Sequence, residues 1–536
     1  MSKKISTTSR QPLPSRAEGV WGWTLFPLLS LLSLLAACSG RPAAIPASFA
    51  ETADSLVIYP DYRDVTVPPN IAPLNFMVTD AEATEFIVEL QAAAPATAAE
   101  ASASALLSGA ARDGKFDIDS VGWRRLLSDA KGCSLAVAVY AHRSAGWVRY
   151  RPFTIQVAEE DIDPFLSYRL IEPGYELYRQ LGLYQRNLTN FHEDVIYENN
   201  RTFDEDHNHC VNCHSYQAYD TQRMLFHVRA QHGGTVITHG TEAHKVAIRH
   251  DSILSAGVYP SWHPTLPLIA FSTNKTGQVF HMQHAEKIEV LDEASDLLLY
   301  DAEKNTVQNI LRTDDELETF PCWTPDGTRL YYCSAAMPAS LPREHTAGDL
   351  AVRYDSLLYN ICSMPFDPAT RRFGEPRIEV DAAAMGKSAS VPRVSPDGRY
   401  LLFTLGDYGQ FHIWHKSADL WLLDLLDSTA KPLHQANSPD ADSYHGWSSS
   451  GRWIVFASRR DDGNFSRVYI SYFDRDGRAH RAFLLPQRDP EYNVLLLKSY
   501  NVPELTKSAV RVTTEELKHI VLHTEAETAS YIFSGR

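Results

Sequence analysis

The sequence predicts an all-β protein: a six- to seven-bladed β-propeller behind an N-terminal β-sandwich-like domain, with a segment of different character inserted at about 200–224. Three observations carry this reading: a fourfold internal repeat, a series of short β-type runs ahead of it, and an aromatic-rich composition. Of 536 residues, 44% are hydrophobic and 11% are Phe, Trp or Tyr, which suits ordered sheet rather than a disordered or fibrous chain. A chain this long exceeds what one core fills, so it is built from several units or from repeats.

The repeat has four copies. Pro260-Ser261-Trp262-His263-Pro264 precedes Leu268-Ile269-Ala270-Phe271-Ser272, and Pro321-Cys322-Trp323-Thr324-Pro325-Asp326-Gly327 precedes Leu330-Tyr331-Tyr332-Cys333-Ser334. Pro392-Arg393-Val394-Ser395-Pro396-Asp397-Gly398 precedes Leu401-Leu402-Phe403-Thr404, and Gly446-Trp447-Ser448-Ser449-Ser450-Gly451 precedes Trp453-Ile454-Val455-Phe456-Ala457-Ser458. Positions 262, 323, 394 and 447 align at spacings of 61, 71 and 53. Each copy reads as strand, tight turn, strand, because Gly accepts positive φ and Asp bonds to nearby backbone. Each is followed by a run ending at Asp301, Asp367, Asp424 or Asp474. Such periods, at about four strands each, are those of propeller blades, whereas unrelated hairpins in a sandwich would not keep four copies matched. The repeat resembles the WD-like blades of the TolB propeller family over roughly Ile253 to Pro486. Rings of that family usually close with six or more blades, so the runs at Leu183–Leu188, Met224–Arg229, Gly234–Ile237 and Lys245–Ile248 are assigned to further blades, and residues 161–252 to the start of the ring.

Ahead of the ring, Lys3, Lys4, Arg10 and Arg16 precede an apolar run from Val20 to Ala37 that ends Leu35-Ala36-Ala37-Cys38. This is the pattern of an export signal, and the run is also long enough for a membrane-spanning helix. The small residues before Cys38 resemble a bacterial lipobox, which implies cleavage at residues 1–37 and acylation of Cys38, a stable anchor once two or more acyl chains are present. Removing residues 1–37 moves the formal charge from −16 to −19, which argues against nucleic acid as a partner. The Ala-, Pro- and Ser-rich stretch within 38–64 reads as a tether of about 30 Å. Residues 65–160 hold the short runs of a sandwich-like domain, including Phe86–Leu90, Leu135–Tyr140 and Trp147–Tyr150. Residues 487–536, beyond the last repeat, read as a C-terminal tail.

Seven cysteines divide by role. Cys38 belongs to the anchor. Cys133, Cys322, Cys333 and Cys362 are free for disulfides in an exported protein, and a Cys333–Cys362 bridge is permitted though spacing does not fix it. Cys210-Val211-Asn212-Cys213-His214 fits C-x-x-C-H, in which two thiols reach the vinyl groups of one porphyrin and the next imidazole binds its iron. This implies one covalent haem c on Cys210 and Cys213 with His214 as proximal ligand. Zinc would need two more ligands at matched spacing, and His207 and His209 offer no second Cys pair. A redox dithiol would need a strand-to-helix setting that Asp204-Glu205-Asp206-His207-Asn208 does not suggest. Candidate distal ligands are Met224, His227 and His281; on a strand, Met224, Phe226 and Val228 face one way and His227 the other.

The combination of lipobox, sandwich-like region, C-x-x-C-H and TolB-like blades looks like the haem-bearing propeller lipoproteins of Bacteroidetes. The resemblance covers most of Val65 to Thr506, and from it only Cys210, Cys213 and His214 take a defined job. With the lipobox it implies a lipid-anchored envelope protein, outer-membrane and facing the periplasm. The family's physiological role does not carry over. Electron transfer with a protein redox partner is expected because one attached haem with many possible sixth ligands and no evident acid–base constellation asks for least. Two alternatives stand beside this: an envelope assembly module with a structural or sensing haem, and a peroxidase-like enzyme. No G-x-S-x-G, P-loop or H-E-x-x-H motif is present.

Overall fold

The computed structural model describes residues 43–92, 106–172, 181–199, 209–281, 286, 288–341 and 345–533. The leader and Cys38 lie outside these residues. Among the described residues, no helix is long and apolar enough to cross a membrane.

Six sheets close into a ring. Blade 2 runs outward through His209–Gln217, Asp220–Ala230, Gly234–His239 and Glu242–Ala247, and blade 3 through Val258–Trp262, Leu268–Phe280, Ile288–Asp301 and Thr306–Leu311. Blades 4, 5 and 6 have Glu316–Trp323, Ser388–Val394 and Asp442–Trp447 innermost. Blade 1 is assembled from both ends of the ring: its outer strands are Phe165–Ile171, Gly182–Asn187 and Glu193–Glu198, and its innermost strand is Ser499–Thr506. The repeat-derived ring is therefore six-bladed, and its closure lies in the stretch read as a tail. Residues 499–506 are a strand because Tyr500 and Leu505 enter the core on either side of the closing bulge. The same stretch adds the helix Thr514–His523 and two short strands that pair in parallel with the outer edges of blades 2 and 3.

The expected turns are present. Gly327, Gly398 and Gly451 have φ of 70°, 74° and 67°. The Asp326 and Asp397 carboxylates accept from the backbone two residues on, at 3.0 and 3.1 Å. Blade faces are apolar on both sides, with Trp453, Phe456, Leu402 and Phe403 fully buried, because each blade is covered by its two neighbours.

The N-terminal domain pairs a seven-stranded sheet with a three-stranded one. It begins earlier than expected. Ala50–Glu51 pairs in parallel with Gly146–Arg149, and Val57–Tyr59 pairs with Phe76–Thr79, so two short strands of the domain lie within the stretch read as a tether. Its core continues into blade 6 through Trp453, Val455 and Phe483. Asp163 accepts from the Ser449 backbone and hydroxyl at 2.6 Å each, tying the linker between domain and ring to the turn of blade 6. The helix Ser120–Asp129, capped by Asp119, was not expected from sequence; it buries Trp123, Leu126 and Leu127.

The Cys333–Cys362 bridge is excluded by register. Cys333 pairs with Ile361 and Cys362 with Tyr332, so the two thiols are one step apart and face opposite sides of blade 4. They enter different cores, and all six described cysteines are free thiols.

Candidate functional site

Every innermost strand is interrupted by a bulge at the same place. The register slips between Asn212 and Ser215, Val258 and Ser261, Thr319 and Cys322, Ser390 and Arg393, Ser443 and Gly446, and on blade 1 against Asn501 and Glu504. At each bulge one non-glycine residue has φ between 48° and 52°: Cys213, Tyr259, Phe320, Val391, Tyr444 and Val502. A left-handed residue costs about 1–3 kcal/mol and survives only when its surroundings fix it, here the ladder on both sides of the bulge. All six residues line one cavity of about 1600 Å³ on the ring axis.

The next position is Pro260, Pro321, Pro392 and Pro503 in four blades. Proline suits it because the bulge leaves that N–H out of the ladder. The exceptions are His214 in blade 2 and His445 in blade 6. His445 is satisfied, with Nε2 3.2 Å from the Leu402 carbonyl oxygen and Nδ1 3.4 Å from Thr404 Oγ1. His214 is 5% exposed and its Nε2 has no hydrogen-bond partner. The Val502 backbone lies beside the ring and favours its protonated form, against burial. Burial and then the Arg169 charge push its pKa down to about 3, so the imidazole is neutral. The nearest carboxylate, Glu504, is 4.0 Å from Nε2, and burial lifts it to about 7 against the pull of Arg393.

The Cys-x-x-Cys-His motif thus lies on the innermost strand of blade 2 itself, not in an inserted segment or a loop replacing that strand. The hairpin that follows turns through Ala218 and Tyr219, both at positive φ, as a two-residue turn requires. Cys213 and His214 line the cavity. Cys210 is half-buried, register partner of Arg229, and not on the cavity wall. Burial pushes its thiol up, against the pull of Arg229 and Arg169. The Asn212 side chain receives a hydrogen bond from Arg169, which also donates to the Val211 carbonyl at 3.3 Å.

The three candidate distal ligands separate. Met224 is fully buried in the blade core with Val211, Tyr216 and Phe226, away from the cavity. His227 lines the cavity opposite Asn212 in register, with Nδ1 3.2 Å from Thr235 Oγ1, and burial lowers its pKa to about 3. His281 also lines the cavity, 3.7 Å from Glu289. No group of three or more His, Cys, Asp or Glu placed to hold a metal ion occurs among the described residues. His209 is fully buried in the blade, its Nε2 2.7 Å from the Tyr197 hydroxyl.

Sequence reading missed Arg169, Asn212, His445 and Glu504. Arg169 and Asn212 carry no motif, and Glu504 sits on a strand taken for tail. A signal for the strand did exist: His214-Ser215-Tyr216 aligns with Pro260-Ser261-Trp262, 46 residues on.

No family model matches the chain, and no curated protein matches it. Among solved structures it is similar to an oligogalacturonate lyase in complex with manganese, 12% identical over 64% of this chain and 87% of that one, with a TM-score of 0.28. It is similar to a DUF4784 family protein from Bacteroides caccae, 8% identical over 83% and 98%, with a TM-score of 0.29. It is also similar to prolyl oligopeptidase B from Galerina marginata, 9% identical over 51% and 37%, with a TM-score of 0.28. At these values the likeness says nothing of activity; the six-bladed ring rests on the strand order.

Proposed function

We propose that this protein is a haem c-binding lipoprotein of the bacterial envelope, in which a six-bladed propeller holds one covalent haem at its axis for electron transfer. The observation that carries the reading is His214: a buried, neutral imidazole with Nε2 unpartnered, standing where four other blades use proline, directly after a Cys-x-x-Cys pair. Cys213 and His214 line a cavity with room for the group, and Cys210 stands on the same strand outside its wall. Cys210 and Cys213 would hold the porphyrin and His214 its iron. When bound, the haem supplies a one-electron centre whose potential follows its axial ligands and burial. The chain's own part is to keep His214 neutral and to fix the attachment strand in a rigid sheet. Met224 does not reach the cavity, which leaves His227 and His281 as distal candidates; His227, on the strand paired with the attachment strand, is put first.

Protein matured in a host competent for c-type cytochromes is expected to stain for haem after denaturing electrophoresis and to show the added mass of one porphyrin. An intact mass matching the bare chain overturns the reading. His227→Ala is expected to change the spin state or potential of the haem, and Met224→Ala to leave both unchanged. Anchoring is tested apart: Cys38→Ser should abolish lipid labelling, and a labelled variant refutes it. The axial cavity also favours a second reading, a ligand-binding module, since its volume of about 1600 Å³ exceeds the roughly 300–1,000 Å³ that small-molecule sites usually span and leaves room for one.

A further inference from the structure

Across the described residues, arginines outside the cavity are commonly ion-paired: Arg143 with Asp80 at 2.9 Å, Arg399 with Asp424 at 2.9 Å, Arg460 with Asp442 at 2.7 Å and Arg481 with Asp61 at 2.8 Å. The cavity wall differs. It carries Arg169, Arg229, Arg249, Arg393, Arg459 and Lys507 against two carboxylates, Glu172 and Glu504, in a chain whose formal charge is −16. Glu172 is already paired with Lys498 at 2.8 Å. Arg169, Arg229 and Arg393 have no carboxylate within ion-pair distance among the described residues. Arg169 Nε is buried without a partner, while its Nη1 is held by Asn212 and the Val211 carbonyl. Arg393 Nη1 donates to the Pro392 carbonyl at 2.8 Å. Arg169 and Arg229 lie close enough to repel one another.

Arg169 and Arg393 are half-buried and Arg229 is exposed at the cavity's edge. Partly buried cations without counter-charge are costly, and a folded protein keeps them where a ligand supplies the missing charge. The guanidinium fork matches carboxylate and phosphate oxygens. Arg169 and Arg229 approach from blades 1 and 2, Arg393 from blade 5, which faces blade 2 across the six-bladed ring. We propose that the axial cavity is an anion-binding site for a small molecule bearing two or more carboxylate or phosphate groups, held between Arg169 and Arg229 on one side and Arg393 on the other. The site shares the cavity with the proposed haem but does not depend on it. The acidic groups can come from a free anion or from the porphyrin's own propionates.

Titration calorimetry at low ionic strength, with citrate and inorganic phosphate as separate probes, tests this on the full chain. A Cys210→Ser/Cys213→Ser variant, unable to attach haem, should bind citrate. Arg169→Gln, Arg229→Gln and Arg393→Gln in that background should each weaken binding at least tenfold. If the haem-loaded protein also binds citrate, the ligand is a free anion; if only the haem-free variant binds, the same arginines serve the propionates. Absence of heat with both probes in the haem-free variant overturns the proposal, as does citrate affinity in all three arginine variants equal to that of the Cys210→Ser/Cys213→Ser parent. Where a variant does not fold, salt provides the measurement: citrate affinity in the parent that is insensitive to about 0.5 M NaCl also overturns it. Haem staining of the unmodified chain is read separately, so failure of the haem reading leaves this result interpretable.

Discussion

His214 is where the repeat is broken, and the break can be reversed. Its backbone already follows a left-handed residue, as do Pro260, Pro321, Pro392 and Pro503. His214→Pro should therefore fold, with stability within about 1 kcal/mol of the parent, since a proline at a compatible site restricts the unfolded chain. Haem should remain attached through the two thioethers but lose its proximal ligand, seen as a high-spin spectrum. An unfolded variant would mean that His214 is held for the fold, and an unaltered spectrum that it is no ligand.

Glu318 makes a second residue-scale case. It is fully buried, with Oε2 unpartnered and Thr313 donating to Oε1 at 2.7 Å, and burial near Asp296 and Glu316 pushes its carboxyl up to about 8. An unfolded glutamate titrates near 4.3, so below that both states are protonated and this site costs nothing. Between there and about 8 the unfolded chain loses its proton while the folded one keeps it, and stability falls as pH rises. Glu318→Gln should match the parent at about pH 4.5 and exceed it by about 1–3 kcal/mol at about pH 8. Denaturant unfolding at both values checks this; a variant less stable at the higher pH refutes it. Neither residue was legible in this role beforehand. The motif named His214, but its proline-like position and its burial needed the ring, and Glu318 shows no pattern at all.

Among elements, the turns were the most legible and separate two costs at equivalent positions. Gly398 has φ of 74° and a Cβ there would meet only Pro325 Cγ at 3.8 Å, whereas at Gly327, with φ of 70°, it would fall 2.4 Å from the His263 ring. Gly398→Ala should cost about 1–2 kcal/mol, the left-handed penalty alone. Gly327→Ala adds an overpacking penalty and should cost about 3 kcal/mol or more. Equal losses in thermal unfolding would mean that His263 moves aside freely. Strand positions in blades 4 and 5 followed from their Asp-Gly turns, and those in blades 3 and 6 from the matched Trp262 and Trp447 ahead of their apolar strands. Blade 2 has no Pro-Asp-Gly turn: its innermost hairpin turns through Ala218 and Tyr219, residues with no turn propensity, so its first strand read as an insertion. The helix Ser120–Asp129 was hidden for a similar reason, since its apolar positions are few and Gly122 interrupts them.

At the scale of the molecule, the ring is closed by its two ends, and that was invisible to the repeat. Ser499–Thr506 lacks the Trp or Asp-Gly landmarks that mark blades 3 to 6, and its partner strand, Phe165–Ile171, comes from the other end of the ring rather than from the next hairpin. Arg467, 1% exposed, holds the connection in place by donating to the backbone carbonyls of Asn493, Leu496 and Lys498 at 2.7–3.1 Å. Ending the chain at Pro486 removes this strand, opens the ring between blades 6 and 2, and leaves Phe165–Ile171 as an unpaired apolar edge, a template for aggregation. That truncation should be insoluble or unfolded. Ending at Thr524 removes only the two-residue strands Glu527–Thr528 and Ser530–Tyr531, which add to outer edges that solvent can otherwise satisfy. It should fold with a melting temperature lower by a few degrees, at about 2–4 °C per kcal/mol for a domain of this size or larger. A soluble, cooperatively melting protein that ends at Pro486 would show that the five remaining blades form a ring without the closing strand, and the placement of the haem strand beside it would fall with that result.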